Sequence, residues 1–201
     1  DDTRVTAGWL SPLIDMCETN ARIAACQPKL LSATHPDQFD YSGAAGGYVD
    51  RLGYTFCRGR VLNELEPDRG QYDQPTTLSW GCGSALFVRV DAVREVGLLD
   101  VDFFMHFEEI DLCWRLNLAG HRVMAVPTSI VMHHSGFSLP PHSYRKSYLN
   151  HRNNLVVLCK NLSASRLVWL MPVRVCLEVV AALFYAVSGS WRLAPAPIVA
   201  L

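Results

Sequence analysis

His106-Phe107-Glu108-Glu109-Ile110-Asp111-Leu112-Cys113-Trp114-Arg115-Leu116 sets three carboxylates within about one turn of an amphipathic helix that Gly120 can end. The helix is expected over about 108–119, with Leu112, Cys113, Leu116 and Ala119 as its buried stripe. Carboxylates gain from the positive end of a helix, by ~0.3–1 kcal/mol each at an exposed site. They also repel one another, and a cation or a bound polyhydroxyl ligand relieves that repulsion. Read alone, the run fits either a solvated, acid-capped helix start or part of a site.

Outward from this helix the chain alternates strands and helices, which predicts an α/β layer fold. Upstream, Ser11 with Pro12 reads as the cap and first residue of a helix carrying Leu13, Ile14 and Cys17. Ile23 to Gln27 reads as a short buried strand stopped at Pro28. Ala85 to Val90 reads as a buried strand, followed by a short helix capped by Asp91 and ended by Gly97. Downstream, Val123–Val126 and Ile130–Met132 read as two short strands around Pro127, and Tyr144–Lys160 as a helix. Residues 32–78 are rich in glycine yet carry Phe39, Tyr41, Tyr48, Tyr54, Phe56 and Tyr72. That aromatic content argues against disorder and for a folded excursion over a ligand cleft.

The sequence has 201 residues, half of them apolar, and a net charge of −1, so a sizeable core is expected and nothing basic points to nucleic acid. Its seven cysteines form no C-x-x-C pair and suit reduced thiols, mostly buried, rather than a disulfide framework or zinc ribbon. The first residue is Asp and no signal-peptide pattern precedes it, so the chain reads as a piece of a longer protein. From Leu167 the sequence turns strongly apolar, interrupted by Arg174 and Glu178 at salt-bridge spacing. The longest uncharged run, Val179–Trp191, is 13 residues. Spanning a bilayer needs about 20. An interfacial helix anchored by Trp169, Tyr185 and Trp191 is therefore expected, with a packed core helix as the alternative.

Chemistry is expected from a few residues. A carboxylate at a helix start stays ionised and can take a proton from a sugar hydroxyl. Glu109 and Asp111, two apart, point to different sides, so only one of them serves. His133-His134-Ser135-Gly136 follows a strand, and a histidine there suits a metal or phosphate contact or simply a polar strand end. Asp1-Asp2-Thr3 could offer oxygen ligands to a divalent cation. Gly81-Cys82-Gly83-Ser84 would let a ligand approach the backbone closely. No G-x-S-x-G elbow, G-x-G-x-x-G or Walker loop occurs.

In order along the chain, Asp2-Thr3…Gly8-Trp9-Leu10, Pro28-Lys29-Leu30, Gly43-Ala44-Ala45-Gly46-Gly47, Arg58-Gly59-Arg60 and Asp68-Arg69-Gly70-Gln71-Tyr72-Asp73 lead to the strongest pieces. These are Gly97-Leu98-Leu99-Asp100…Phe103-Phe104, the acidic run 108–116 with Gly120, Val131-Met132-His133, and Tyr148-Leu149-Asn150-His151-Arg152-Asn153-Asn154-Leu155. Together they resemble the bacterial family 2 glycosyltransferases of the rhamnosyltransferase-like group over nearly the whole chain. The resemblance implies a partial GT-A fold, a three-layer α/β sheet with helices on both faces. It implies a transferase part at 1–165 and a membrane-associated apolar helical segment at 166–201. It implies transfer of a hexose, with inversion, from a nucleoside-diphosphate sugar to a glycan or lipid-linked acceptor in surface glycan synthesis.

By the same resemblance Glu109 matches the catalytic base, with Glu108 as its rival and Asp111 orienting the acceptor or anchoring the loop. Asp2 matches the last acid of a D-x-D-like motif holding Mg²⁺ or Mn²⁺, Asp1 its middle position, and His133 a metal- or diphosphate-contacting histidine. Gly81, Gly83, Trp114 and Arg115 fall to donor or acceptor binding. The family's nucleoside-binding first strands would lie upstream, so this chain by itself should bind donor poorly. A cytoplasmic place at the inner face of the cell membrane follows. A glycoside hydrolase using Glu109 with a second carboxylate, or a non-catalytic sugar-binding module docked on a membrane, are the other readings.

Overall fold

The computed structural model describes residues 2–135 and 143–201. In chain order the elements are β1 (Thr3–Val5), α1 (Leu10–Thr19), β2 (Ile23–Ser32), β3 (Gly47–Val49), β4 (Thr55–Cys57), β5 (Arg60–Val61) and β6 (Glu64–Leu65). β7 (Thr76–Leu78), β8 (Phe87–Val88), α2 (Val90–Glu95), α3 (Glu108–Leu118), β9 (Arg122–His133), α4 (Tyr144–Asn161), α5 (Ala164–Val187) and α6 (Pro195–Val199) follow. They fall into two compact units. One comprises 1–50, 55–100 and 109–135; the other comprises 51–54, 101–108 and 136–201. α4, α5 and α6 all fall in the second unit.

The first unit is built on a five-stranded mixed sheet in the order β1-β9-β2-β8, with β7 also on β9. β2 and β9 run parallel along almost their whole length, and the other pairings are antiparallel. β2 is buried at nine consecutive residues, Ile23 to Leu31, as a strand flanked on both edges and covered on its faces must be. Leu13 and Cys17 of α1 pack on Ile23, Cys26 and Val126. Burial of a side chain such as Leu13 contributes about 1.5–3 kcal/mol.

Several expected boundaries move. β2 does not stop at Pro28, and β9 is one strand rather than two. A register shift between Pro28 and Lys29, opposite the Val126–Ile130 stretch, absorbs both prolines at a bulge. α1 starts at Leu10, so Ser11 lies inside it, and no side chain caps it. The expected strand 85–90 shrinks to Phe87–Val88, because β8 is a half-buried edge and Val90 already begins α2. Asp91 sits in the first turn of α2, not at its cap. α3 ends at Leu118 and Ala119 is exposed; Ile110 takes its place in the buried stripe. Its end has the hydrogen bonds of a Schellman motif: Gly120 N donates to Asn117 O, His121 N donates to Leu116 O, and Gly120 has φ +87°.

The 32–78 excursion is ordered through two small hairpins, β3-β4 and β5-β6, and returns to the sheet at β7. Lys29 is buried between Asp68 and Asp73, pinning the end of the excursion to β2. Gly47 must be glycine for space: a Cβ there would lie 2.0 Å from the Trp80 ring.

In the second unit α5 is continuous for 24 residues, despite Arg174 and Glu178. The two charges pair with each other at 2.8 Å and are buried, while Val168, Trp169, Val180, Leu183 and Phe184 are exposed. Among the described residues α5 is the one helix long and apolar enough to cross a membrane. α4 donates to the 51–54 turn through Asn154 Nδ2, 2.8 Å from Gly53 O, and Arg174 Nη1 donates to Leu52 O at 3.0 Å. Five of the seven cysteines are buried, whereas Cys159 and Cys176 are exposed.

Candidate functional site

Glu109 stands half-buried in the first turn of α3, and the Gly81-Cys82-Gly83 turn faces it. A Cβ on Gly83 would lie 3.5 Å from the Glu109 Cβ. The turn is held from beneath by Gln27 of β2, which is fully buried. Its Oε1 accepts from Cys82 N at 2.8 Å, and its Nε2 donates to Gly43 O and Ala44 O. Nothing in the sequence pattern marks Gln27, because its partners lie 16, 17 and 55 residues away. Burial pushes the Cys82 and Cys113 thiols up to about 12, with the Glu109 charge adding to it. Both stay neutral S–H groups at physiological pH, which removes a thiolate nucleophile from this site.

Asp111 points the other way. It is fully buried and takes a bond from Arg115 Nε at 2.8 Å. The same guanidinium donates to Val96 O and to Leu98 O. Asp111 and Arg115 thus tie α3 to the segment after α2. Trp114, between them in sequence, is half-buried.

The segment entering α3 is strained. Phe104, His106 and Phe107, none of them glycine, have φ of 61°, 69° and 74°. Such conformations cost about 1–3 kcal/mol each and cluster at functional sites.

A second group forms where β1 meets β9. The register sets Thr3 opposite His133, which brings Asp2 beside the imidazole: Nε2 lies 3.5 Å from Asp2 Oδ2. Nδ1 lies 2.8 Å from Asp40 Oδ2, which also accepts from Ser42 N and Ser135 Oγ. Burial alone would lower the His133 pKa; the carboxylates of Asp40 and Asp2 outweigh it and hold the pKa above 6.5. A histidine whose inner nitrogen is fixed by a buried carboxylate, with its outer nitrogen facing a second acid, is the arrangement that orients a metal ligand. Asp2 and His133 therefore fit a divalent cation as two donors. Among the described residues no three His, Cys, Asp or Glu side chains converge as a full metal cluster. Asp1 and Gly136, the neighbours invoked in the sequence reading, lie outside the described residues. Asp40 escaped that reading because it is 93 residues from His133 and belongs to no local pattern.

A curled mixed sheet with these helices is the fold of GT-A glycosyltransferases. The crystal structure of GalNAc-T7 with UDP, GalNAc and Mn²⁺ matches with a TM-score of 0.54, covering 78% of this chain and 29% of that one at 18% identity. In sequence the chain is 32% identical over 180 residues to the N-acetylglucosaminyl-diphospho-decaprenol L-rhamnosyltransferase of Mycobacterium tuberculosis H37Rv. That alignment covers 86% of this chain and 56% of the relative. It is also 40% identical over 74 residues to rhamnosyltransferase WbbL of Escherichia coli K12, which covers 37% of this chain and 28% of that protein. No protein-family model matches. The chain spans about half the length of the mycobacterial rhamnosyltransferase.

Proposed function

We propose that this chain is the acceptor-side part of an inverting glycosyltransferase. It would move a hexose, rhamnose or similar, from a nucleoside-diphosphate sugar to a hydroxyl of a lipid-linked or polysaccharide acceptor in bacterial surface glycan synthesis. The observation that carries the reading is Glu109 at the start of α3 with the Gly83 backbone against it, in a GT-A fold similar in sequence to rhamnosyltransferases.

The chemistry is a single displacement. Glu109 takes the proton of the acceptor hydroxyl as its oxygen forms a bond to the anomeric carbon. The bond from that carbon to the diphosphate oxygen breaks on the opposite face, and the nucleoside diphosphate leaves with the electron pair. Asp2 and His133 would hold Mg²⁺ or Mn²⁺, whose charge neutralises the diphosphate. Gly83 is exposed and would let a sugar approach the backbone beside Glu109, whereas Gly81 is buried with its open side filled by Leu86; Trp114, half-buried on the same helix, would contribute to acceptor or donor binding. Asp111 and Arg115 act from within, anchoring the helix that presents Glu109.

The apolar helices suit a place at the inner face of the cell membrane. α5 turns its charged pair inward and its apolar residues outward. The inward face is bonded to α4 through His151 and Glu178, and α4 is a polar helix. That geometry favours α5 lying along the bilayer surface rather than through it.

The test is a panel of nucleoside-diphosphate sugars offered to the gene-encoded protein with a polyprenyl-diphosphate-linked acceptor, scoring nucleoside-diphosphate release. One donor should be consumed in step with acceptor glycosylation, and Glu109→Gln should lower kcat by about 10²–10⁴-fold. Full turnover by Glu109→Gln would overturn the assignment.

A further inference from the structure

The β5–β6 hairpin brings a guanidinium to the carboxyl end of the parallel strands β2 and β9, where Ser32 lies opposite His133. Ligands of open α/β sheets gather outside that end of the strands. Residues 38–41 run beside the last residues of β2: Ser32 N donates to Gln38 O at 3.0 Å, and Asp40 N donates to Leu30 O at 2.9 Å. The hairpin lies on this segment. Phe39 N donates to Glu66 O at 3.1 Å, Glu66 N donates to Gly59 O at 2.9 Å, and a Cβ on Gly59 would lie 2.7 Å from the Phe39 ring. Arg60 comes next in the chain. Its Nη1 donates to Tyr41 O at 2.7 Å, and its Cζ lies 4.2 Å from the Tyr41 ring centroid. Tyr41 is exposed, and the residue before it is Asp40, the buried carboxylate bonded to His133. Burial pushes the Cys57 thiol up; the Arg60 charge opposes this and the Asp40 charge adds to it, so both charges lie near that sulfur.

Two arginines of one motif differ in what they leave unused. Arg58 spends its Nε and Nη2 on Ala45 O, at 3.2 and 2.6 Å, and lies 5.0 Å from the Tyr72 ring centroid. Arg60 spends only Nη1. Among the described residues its Nε–Nη2 edge makes no hydrogen bond, and the residue is half-buried. That edge of a guanidinium matches two oxygens of a phosphate. The bond to Tyr41 O and the ring beneath already fix the side chain, so little rotamer freedom is lost on binding an anion.

We propose that Arg60 is a binding residue for a diphosphate, meeting two of its oxygens through Nε and Nη2 while Tyr41 holds the guanidinium in place. The positive charge sits at the same end of the sheet as Asp2 and His133, so a diphosphate bound there is neutralised from two sides. The inference rests on the reading of the chain as part of a glycosyltransferase, whose sugar donor and lipid-linked acceptor each carry this group.

Arg60→Ala, Arg60→Lys and Arg58→Ala are compared with the parent in the gene-encoded protein. Binding of inorganic diphosphate in the presence of Mn²⁺ is followed by calorimetry, alongside the melting temperature and the KM values for donor and lipid-linked acceptor. Arg60→Ala should weaken inorganic diphosphate binding by about tenfold to a hundredfold, the usual cost of losing hydrogen bonds between charged groups. Arg60→Lys keeps the charge but not the fork, and should fall between Arg60→Ala and the parent. Arg58→Ala should lower the melting temperature and leave the diphosphate affinity near the parent value. A raised donor KM in Arg60→Ala assigns the contact to the donor diphosphate, and a raised acceptor KM assigns it to the lipid diphosphate. No binding of inorganic diphosphate by the parent, equal affinity in the parent and Arg60→Ala, or equal losses at 58 and 60 would overturn the inference. The two claims separate in the same experiment. If sugar is transferred and Arg60→Ala binds diphosphate like the parent, only the role of Arg60 falls; if no donor is consumed yet Arg60→Ala binds diphosphate more weakly, the transferase reading falls and the anion contact stands.

Discussion

Arg174 and Glu178 lie one turn apart on α5, each with no more than 1% of its side chain exposed. Arg174 Nη2 meets Glu178 Oε1 at 2.8 Å, its Nη1 donates to Leu52 O at 3.0 Å, and its guanidinium lies 3.9 Å from the Tyr54 ring centroid. The other carboxylate oxygen of Glu178 is bonded to His151 Nδ1 of α4. Replacing Arg174 by Met removes one charge and leaves the other buried with His151 alone. Breaking a buried pair in this way costs about 3–5 kcal/mol. For a chain of this size each kcal/mol shifts the melting temperature by about 2–4 °C, so Arg174→Met should melt about 6–20 °C lower. The double variant Arg174→Met/Glu178→Leu removes both charges and fills the space with apolar groups. It should recover most of that loss, because neither desolvated charge remains. Urea unfolding followed by circular dichroism, run as a double-mutant cycle on parent, singles and double, measures the coupling. Additive losses in the double variant, or a loss below about 1 kcal/mol for Arg174→Met, would refute the claim that this pair is a mutually dependent, desolvated unit.

The same carboxyl sets a pH dependence. Burial alone would raise the Glu178 pKa, but the bonds from His151 and Arg174 outweigh it and hold it below 4.5. Its stabilisation is therefore present above about 4.5 and is lost as pH falls through the lower folded-state value. Glu178→Gln should flatten the acid limb of the stability profile in that window; an unchanged limb would assign it to other carboxylates. Asp40→Asn keeps the shape but removes the charge that orients His133, and should weaken Mn²⁺ binding, followed by the Mn²⁺ EPR signal, by about 10–100-fold. Unchanged affinity would remove Asp40 from the cation's support. Phe184 is 63% exposed on α5, so Phe184→Asp should leave stability within about 0.5 kcal/mol. It should nevertheless reduce co-flotation with anionic phospholipid vesicles by roughly tenfold or more, from the lost apolar burial and the added charge; equal flotation would place the membrane contact elsewhere.

What could be read from the sequence is what local rules control. The 3.6-residue spacing of Ile110, Cys113 and Leu116 and the glycine at 120 specify α3 and its end, since both act within a few residues. Arg174 and Glu178 announce their pairing by spacing alone. Strand continuity across Pro28 and Pro127 was not legible, because the bulge that accommodates both prolines exists only when β2 and β9 lie side by side. The length of β8 was illegible for a similar reason: an edge with one partner needs few residues, and no local propensity records how many partners a strand has.

The candidate site divides along the same line. Sequence alone supplied Glu108, Glu109, Asp111, His133 and Asp2, residue types whose chemistry is legible wherever they stand. Their surroundings came from the tertiary structure. Asp111 is fully buried against Arg115, whereas Glu109 faces the Gly83 backbone. Asp2 meets His133 only because β1 pairs with the last residues of β9. The supports Gln27 and Asp40 reach partners as far as 55 and 95 residues away. Contacts of that range carry no periodicity, so chain order cannot encode them in a local pattern, and folding alone brings the groups together.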